Sequence, residues 1–209
     1  MIDLYTLFTP NGYKVSVMLE ELGLPYNVHV INISKNEQFT PEFLKISPNN
    51  KIPAIVDSEG PDGKPISVFE SAAILMYLAQ KTKSPLLPTD PRAFSKVMEW
   101  SFFQMASVGP MFGQMNHFVR FAPEKIPYAM DRYTNEAKRI LGVMDKRLGE
   151  SAYLAGPNYT IADILTYPWT VSALFIIPDL SPWPNVVRWQ NEIGARPAVQ
   201  KGMNVPPKP

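Results

Sequence analysis

A chain of 209 residues is long enough for two small domains or one large one, each with its own core. Its 45% hydrophobic and 19% charged residues exclude a disordered chain, and 20 basic against 19 acidic side chains leave no electrostatic footprint for nucleic acid or an anionic membrane. With no cysteine and only His29 and His117 as histidines, disulfides are excluded and a zinc site has almost no raw material, so any thiol chemistry must use sulfur carried in by a small molecule.

Ile2 to Phe8 is apolar and aromatic and predicts a buried strand, broken by Thr9-Pro10-Asn11-Gly12. Val15, Met18, Leu19 and Leu22 then recur at helical spacing, which predicts a helix from about Asn11 or Gly12 that stops at Gly23. Tyr26, Val28 and Val30 alternate as a second strand, parallel to the first through a right-handed crossover. Thr40 to Leu44 suggests a short helix ended by Ser47-Pro48. Ala54-Ile55-Val56 and Ile66-Ser67-Val68-Phe69 predict two antiparallel strands joined by the turn-rich stretch Ser58 to Lys64. Ile74, Leu75 and Leu78 mark a helix starting at Ser71. The order β-α-β-α-β-β-α describes a mixed four-stranded sheet with helices on its faces.

Lys83 to Arg92 holds three prolines and no periodicity, the composition of a linker. Beyond it no strand is predicted. Phe94, Val97, Met98, Phe102 and Met105 share one helical face, and Gly109-Pro110 should kink or end that helix. Tyr133, Ala137, Ile140, Leu141, Met144 and Leu148 step by three and four along another. Helices also fit Ile161 to Ala173 and Asn185 to Ala195, and Val205 to Pro209 reads as a loose tail. The expected organisation is an α/β domain over 1–82, a linker over 83–92 and an all-α domain over 93–209, without internal repeats. No apolar run approaches the ~18 residues that span a bilayer, and Met1-Ile2-Asp3-Leu4 lacks the regions of a secretory signal, so the expected location is cytoplasmic.

Read as residues alone, the candidate functional stretches stay open to plain structural roles. Thr9-Pro10-Asn11-Gly12 fits a turn and helix cap as well as a site. Pro53, where a loop enters a strand, is by base chemistry an ordinary trans proline, since cis bonds are only ~5–6% of X-Pro bonds. Glu70-Ser71 stands at a helix start, where backbone N–H groups and the helix dipole favour a carboxylate and Ser71 can cap. An acid there can also accept hydrogen bonds from an α-ammonium, so the pair suits a ligand head that carries both charges on one carbon. Thr160 and Asp163 form a capping pair with a structural role; replacing Thr160 should cost ~1 kcal/mol.

Three ordered stretches resemble the glutathione transferase family over nearly the whole chain: Thr9-Pro10-Asn11-Gly12; Lys51-Ile52-Pro53 followed by Phe69-Glu70-Ser71-Ala72-Ala73-Ile74; and Gly156-Pro157-Asn158-Tyr159-Thr160-Ile161-Ala162-Asp163. Thr9-Pro10-Asn11 and Ser47-Pro48-Asn49-Asn50-Lys51-Ile52-Pro53-Ala54 look most like the nu class, whose members reduce disulfides with glutathione. The resemblance implies a thioredoxin-like N-terminal domain, an all-helical C-terminal domain and a cis Ile52-Pro53 bond. That bond would turn the backbone N–H and C=O of Ile52 outward to pair with a bound peptide, as an added strand does. It also implies Glu70 and Ser71 on the γ-glutamyl group, Gln38 and Lys51 as glutathione contacts, and Arg132 reaching the ligand from the helical domain. For an isolated Arg or Lys a solvated face is the plainer reading.

The catalytic pair implied is Thr9, at the position of the serine of serine-type transferases, and Asn11, the additional polar group of the nu class. Free thiol has a pKa of about 8.5, and lowering it two units takes about 2.7 kcal/mol of preference for the thiolate, which a donor beside a helix N-terminus can supply. Tyr5 is a rival donor but lies within the predicted strand and reads as core. The expected activity is glutathione-dependent disulfide reduction, with room for two glutathiones or one glutathione disulfide near Thr9 and Asn11. Conjugation of electrophiles and a non-catalytic binding module are the alternatives. No metal is implied. The co-substrate is a small disulfide or electrophile, and a homodimer is expected, with Phe39 and the loop around Asn36 as contributors. Of Trp100, Phe103, Phe112, His117, Phe118 and Tyr133, most are expected in the core and at most two against substrate. His117 is expected in the core or a cleft, and His29 facing outward.

Overall fold

Ile2, Leu4 and Thr6 alternate with the half-buried Asp3 and Tyr5, so strand β1 (Ile2–Thr6) buries one face in the way its period predicts. It lies inside a four-stranded sheet of order β2-β1-β3-β4. β2 (Tyr26–Val30) pairs with it in parallel, β3 (Ala54–Asp57) antiparallel, and β4 (Ile66–Phe69) continues antiparallel to β3. β1 is shorter than the expected run to Phe8: the Thr9 N–H donates to Leu7 O at 2.7 Å, a tight turn that leaves Phe8 exposed. The apolar positions of β2 are also exposed, because the strand is at the sheet's edge.

Helix α1 (Pro10–Leu22) starts with Thr9 as its cap and Pro10 in its first turn, and ends at Gly23 in the left-handed conformation, φ 62°. Its Val15, Met18 and Leu19, with Leu4, Ile55 and the Ile74, Leu75 and Leu78 of α3 (Ser71–Thr82), have no exposed surface and form the core of this unit. A short α2 (Pro41–Ile46) is capped by Thr40.

The computed structural model describes residues 1–207, which divide into two compact units. The first joins Met1–Ser84 with the chain from Arg196 onward, and the second is Pro85–Ala195. The expected helical domain over 93–209 is therefore shorter at its C-terminal end. A final helix (Pro197–Gly202) packs on α1, where Ser16 Oγ donates to Gly202 O at 2.7 Å and Arg196 pairs with both carboxylate oxygens of Glu21 at 2.7 and 2.8 Å. A Cβ on Gly202 would stand 2.5 Å from Val17 Cα, so only glycine allows this approach. Of the expected tail, Lys208 and Pro209 lie outside the described residues.

The second unit begins its helices earlier than the expected linker allows. α4 (Pro91–Phe103) is capped by Asp90, whose Oδ1 accepts the Ala93 N–H at 2.9 Å. The helical path then passes through a wide turn at Gln104–Val108 into α5 (Gly109–Asn116). The helical path does not end at Gly109-Pro110: the Gly109 N–H reaches back five residues to Gln104 O, and this widened turn accommodates the proline. The buried face of this path is Val97, Ser101, Gln104 and Val108, and Phe102, expected on it, is 65% exposed. A second wide turn (His117–Phe121) precedes α6 (Pro127–Glu150), which buries Ala137, Ile140, Leu141, Met144 and Leu148 at the expected spacing.

α7 (Ile161–Ala173) and α8 (Pro184–Gly194) complete the unit, and the last helix of the chain, in the first unit, is α9 (Pro197–Gly202). Asp163 ties α7 to α8 and to the preceding loop. Its Oδ1 accepts the Leu154 N–H at 3.0 Å and Trp189 Nε1 at 2.9 Å, and its Oδ2 accepts the Thr160 N–H at 3.0 Å and the Thr160 hydroxyl at 3.2 Å. This is the capping box that Thr160 and Asp163 predict, closed and wholly buried. No described helix is long and apolar enough to cross a membrane.

Candidate active site

The pairing register gathers the candidate residues of the first unit at one end of the sheet. Thr6 is opposite Val30, Tyr5 opposite Ala54, and Ala54 opposite Phe69. The end of β1, the end of β2, the start of β3 and the end of β4 thus share an edge. The segments that leave or enter there carry Thr9 and Asn11, Gln38, Lys51-Ile52-Pro53, and Glu70-Ser71. Two helices, α1 and α3, begin at this edge, and their dipoles bias it positive.

At the first of these starts Thr9 Oγ1 accepts the Gly12 N–H at 3.1 Å, the ordinary cap bond. A hydroxyl whose oxygen is the acceptor in that bond keeps its hydrogen as a donor for a second partner. Asn11 sits in the first turn, half-buried. Gly12 is required here: a Cβ would stand 2.2 Å from Leu7 O and 2.5 Å from Thr6 Oγ1. Tyr5, the rival donor, stacks on His29 with ring centres 4.7 Å apart and leans on Phe43. Its ring is committed to the sheet face, and burial raises its pKa, which opposes an acidic role. His29 is exposed, as expected, and its Nε2 lies 2.9 Å from Asp3 Oδ1.

At the second start Ser71 is buried and Glu70 exposed. Glu70 holds φ 70° and ψ 116°, outside the regions an L-residue favours. Such strain persists where surroundings over-determine it, and it clusters at functional sites. Beneath the pair lies Lys14, 1% exposed, with Nζ 3.3 Å from Ser71 Oγ. Burial lowers the Lys14 pKa to about 7, with the Glu70 carboxylate pulling the other way. Sequence reasoning missed Lys14. Its signal is there, four residues before Met18 on the stripe that α1 buries, where a lysine has no ordinary reason to be.

The Ile52-Pro53 bond is cis, as the resemblance implied. Pro53 is buried, Ile52 half-buried and Lys51 exposed, and the Lys51 carbonyl accepts the hydroxyl of the buried Ser47 at 2.8 Å, which fixes the loop from below. Gln38 stands in a tight helical turn (Glu37–Phe39), and its Oε1 is buried without a hydrogen-bond partner among the described residues. A buried acceptor of this kind needs a donor, and a ligand amide N–H is of the right chemistry.

Arg132 belongs to the second unit, exposed on α6, where it lines an open cleft of about 640 Å³ with Tyr128, Asp131, Tyr133, Glu136 and Arg139. Arg139 is committed to Glu136 by two bonds of 2.7 and 2.8 Å. Among the aromatic candidates, Phe112 is fully buried. Trp100 meets Phe103 edge-on at 5.2 Å, and Phe118 stacks on Tyr133 at 5.3 Å. His117 is exposed and set edge-on to Phe118, so it is not a core residue. Among the described residues no group of three or more His, Cys, Asp or Glu side chains could hold a metal ion.

Residues 8–81 match the model of the glutathione S-transferase N-terminal domain, and residues 112–197 that of the glutathione S-transferase C-terminal domain. The disulfide-bond oxidoreductase YfcG of Escherichia coli is 47% identical over 204 residues, 97% of this chain and 94% of that protein. A Burkholderia graminis glutathione transferase, crystallised with two glutathione molecules per subunit, superposes with a TM-score of 0.93 at 46% identity, covering 100% of this chain and 89% of that one. A Pseudomonas putida glutathione transferase with one glutathione disulfide per subunit gives 0.92 at 43% identity, over 98% and 91% of the two chains. With both domain models matched in order and relatives this similar along its length, the chain belongs to the glutathione S-transferase family.

Proposed function

We propose that this protein is a glutathione-dependent disulfide reductase, in which the thiolate of bound glutathione attacks a disulfide. The observation that carries the reading is the pairing of two helix N-termini at one sheet edge: the Thr9 hydroxyl at one and Glu70-Ser71 at the other, in a chain without a sulfur nucleophile of its own. Glu70 and Ser71 take the γ-glutamyl head, and Ile52 offers its backbone to the cysteinyl part of the peptide beside cis Pro53. Gln38 and Lys51 contact the remainder, and Arg132 is the further ligand residue that the family resemblance assigns. Thr9 and Asn11 stabilise the thiolate as donors at the positive end of α1.

The glutathione sulfur attacks one sulfur of a disulfide RSSR, forming a mixed disulfide and expelling RS⁻, which takes up a proton. A second glutathione thiolate attacks the glutathione sulfur of that mixed disulfide, giving glutathione disulfide and a second thiol. Two thiols are oxidised and one disulfide is reduced, and no protein-bound mixed disulfide forms. The E. coli relative's name and the glutathione pairs or glutathione disulfide bound to the bacterial relatives support this stoichiometry.

Turnover of a model dialkyl disulfide and of an arene halide, measured side by side with glutathione, tests the reading: the disulfide should be the better substrate. Strong conjugation without disulfide turnover overturns it in favour of a general transferase. The same reading makes the protein a cytoplasmic homodimer, with the 54% exposed Phe39 in the contact. Light scattering on the wild type and on Phe39→Ser checks the assembly.

A further inference from the structure

Asn11-Gly12 is the one asparagine–glycine step in the sequence. In water such a step is chemically labile. The glycine's backbone nitrogen gives up its proton and attacks the asparagine Cγ, a C–N bond forms, and the side-chain nitrogen leaves as ammonia. Water then opens the five-membered imide at one of its two carbonyls, leaving aspartate or isoaspartate. Glycine makes the step fast because no Cβ shields the attacking nitrogen and the backbone turns freely.

The fold closes the usual escape from this chemistry, a bulkier residue after the asparagine. A Cβ at residue 12 would stand 2.2 Å from Leu7 O and 2.5 Å from Thr6 Oγ1. Conformation contains the hazard instead. Asn11 and Gly12 lie in the first turn of α1. In helical backbone a side chain leans toward the helix start, away from the nitrogen of the next residue, so the imide ring cannot close. First-turn N–H groups have no carbonyl within the helix to reach, and Thr9 Oγ1 accepts this one at 3.1 Å. Ring closure waits for that bond to break and the turn to open.

We propose that Asn11 is a deamidation site at which the protein ages, and that Thr9 guards it: the cap bond to Gly12 sets how often the first turn opens, and ring closure in the open state replaces the Asn11 amide by a carboxylate. A carboxylate has no hydrogen to donate and repels a thiolate, so the product should be inactive. That consequence rests on the reading of Asn11 as a thiolate donor; the labile step and its guard stand apart from it. A ligand seated on the closed helix start opposes the opening and slows the reaction.

The test ages the full-length protein in mildly alkaline buffer. Mass spectrometry follows the peptide that holds residues 11 and 12, with aspartate and isoaspartate products separated by chromatography. Wild type is compared with Thr9→Ala, Thr9→Ser and Thr160→Ala, the last removing a cap from α7 in the other unit. Asn11 should deamidate ahead of the other asparagines. Thr9→Ala should speed it about fivefold, while Thr9→Ser and Thr160→Ala stay within about twofold of wild type. Glutathione at about ten times its Kd should slow the wild-type reaction about tenfold, and disulfide turnover should fall in step with the fraction modified. If Thr9→Ala does not fold, Thr9→Val, which keeps the shape without the acceptor, carries the same expectation.

An Asn11 that lags behind other asparagines in Thr9→Ala overturns the proposal. So does a Thr160→Ala variant that ages as fast as Thr9→Ala, since stability at large and not the cap would then set the rate. Modification in the expected pattern without loss of disulfide turnover overturns the inactivation and the role of Asn11 as donor. Glutathione that leaves the rate unchanged overturns its placement at the start of α1, with the guarded step intact.

Discussion

The Thr9 hydroxyl oxygen accepts the Gly12 N–H at 3.1 Å, so the residue that caps α1 is also the one whose hydrogen is directed by the helix start. On the proposed function, cap and thiolate donor are one group. Thr9→Ala should therefore cost about 1 kcal/mol of stability through the cap and, separately, raise the pKa of bound glutathione's thiol. Thr9→Ser should keep both. A pH profile of kcat/KM for disulfide reduction separates the effects: Thr9→Ala falls about tenfold or more near neutrality and approaches wild type at about pH 9, where the thiolate forms unaided. A uniform loss at every pH would remove Thr9 from the activation of sulfur.

Gly12 carries the close approach on which that geometry depends. Gly12→Ala places a Cβ 2.2 Å from Leu7 O, a backbone atom that cannot swing away, so α1 must shift from the strand end. The expected cost is about 2 kcal/mol or more, with loss of glutathione binding. Gly113→Ala is the control. Its Cβ meets only Trp169, at 3.4 Å, and in mid-helix it should gain about 0.5–1 kcal/mol. Urea midpoints of both variants check the contrast.

These two glycines also show what the sequence reveals and what it conceals. Local punctuation was legible: Thr9-Pro10 and Gly23 bracket α1, Ser71 starts α3, and Thr160 with Asp163 closes the capping box of α7, because caps and turns are written in neighbouring residues. The expectation of a mixed sheet followed, and its register then brings Thr9, Pro53 and Glu70 to one edge. Long-range contacts left no such mark. Nothing near Gly202 announces that α9 lies on Val17, and Phe102 fits the apolar stripe of α4 although the buried face of that helix runs through Val97 and the polar Ser101 instead. Lys14 is marked in the sequence only by its place on the apolar stripe of α1, and its depth appears with the fold.

Glu70 gives a separable test of strain and binding. At φ 70° and ψ 116° a glycine is more at ease than any residue with a Cβ. Glu70→Ala and Glu70→Gly lose the same carboxylate, so both should weaken glutathione binding to a similar degree, about tenfold or more. Only the glycine relieves the backbone, and Glu70→Gly should be more stable than Glu70→Ala by about 1 kcal/mol. Calorimetric Kd values and urea midpoints read the two effects apart. An alanine variant as stable as the glycine variant would show that this backbone stores no strain.

Asp163 makes the stability of the helical unit depend on pH in an unusual direction. Burial raises its pKa to about 6, against the four hydrogen bonds donated by Leu154, Trp189 and Thr160. A carboxyl raised in the folded state binds more protons there than in the unfolded chain between about pH 4 and 6, so stability should fall as pH rises through that window, by up to about 3 kcal/mol. Asp57 works with the opposite sign lower down. Burial raises its pKa, but bonds from Lys81, Tyr77 and the Glu59 N–H outweigh this and leave it lowered, so its contribution is lost only as pH falls below about 4. The urea midpoint should therefore be highest near about pH 4–5 and decline toward neutrality. Asp163→Asn, neutral throughout, should be less stable below about pH 5 and should flatten the slope between about pH 4 and 6. Trp189 offers a local readout, since its Nε1 donates to Asp163 Oδ1 at 2.9 Å: its indole N–H resonance should titrate with a midpoint near about pH 6. A resonance that stays fixed from about pH 4.5 to 7.5 would mean that Asp163 remains ionised and that the donated bonds outweigh burial.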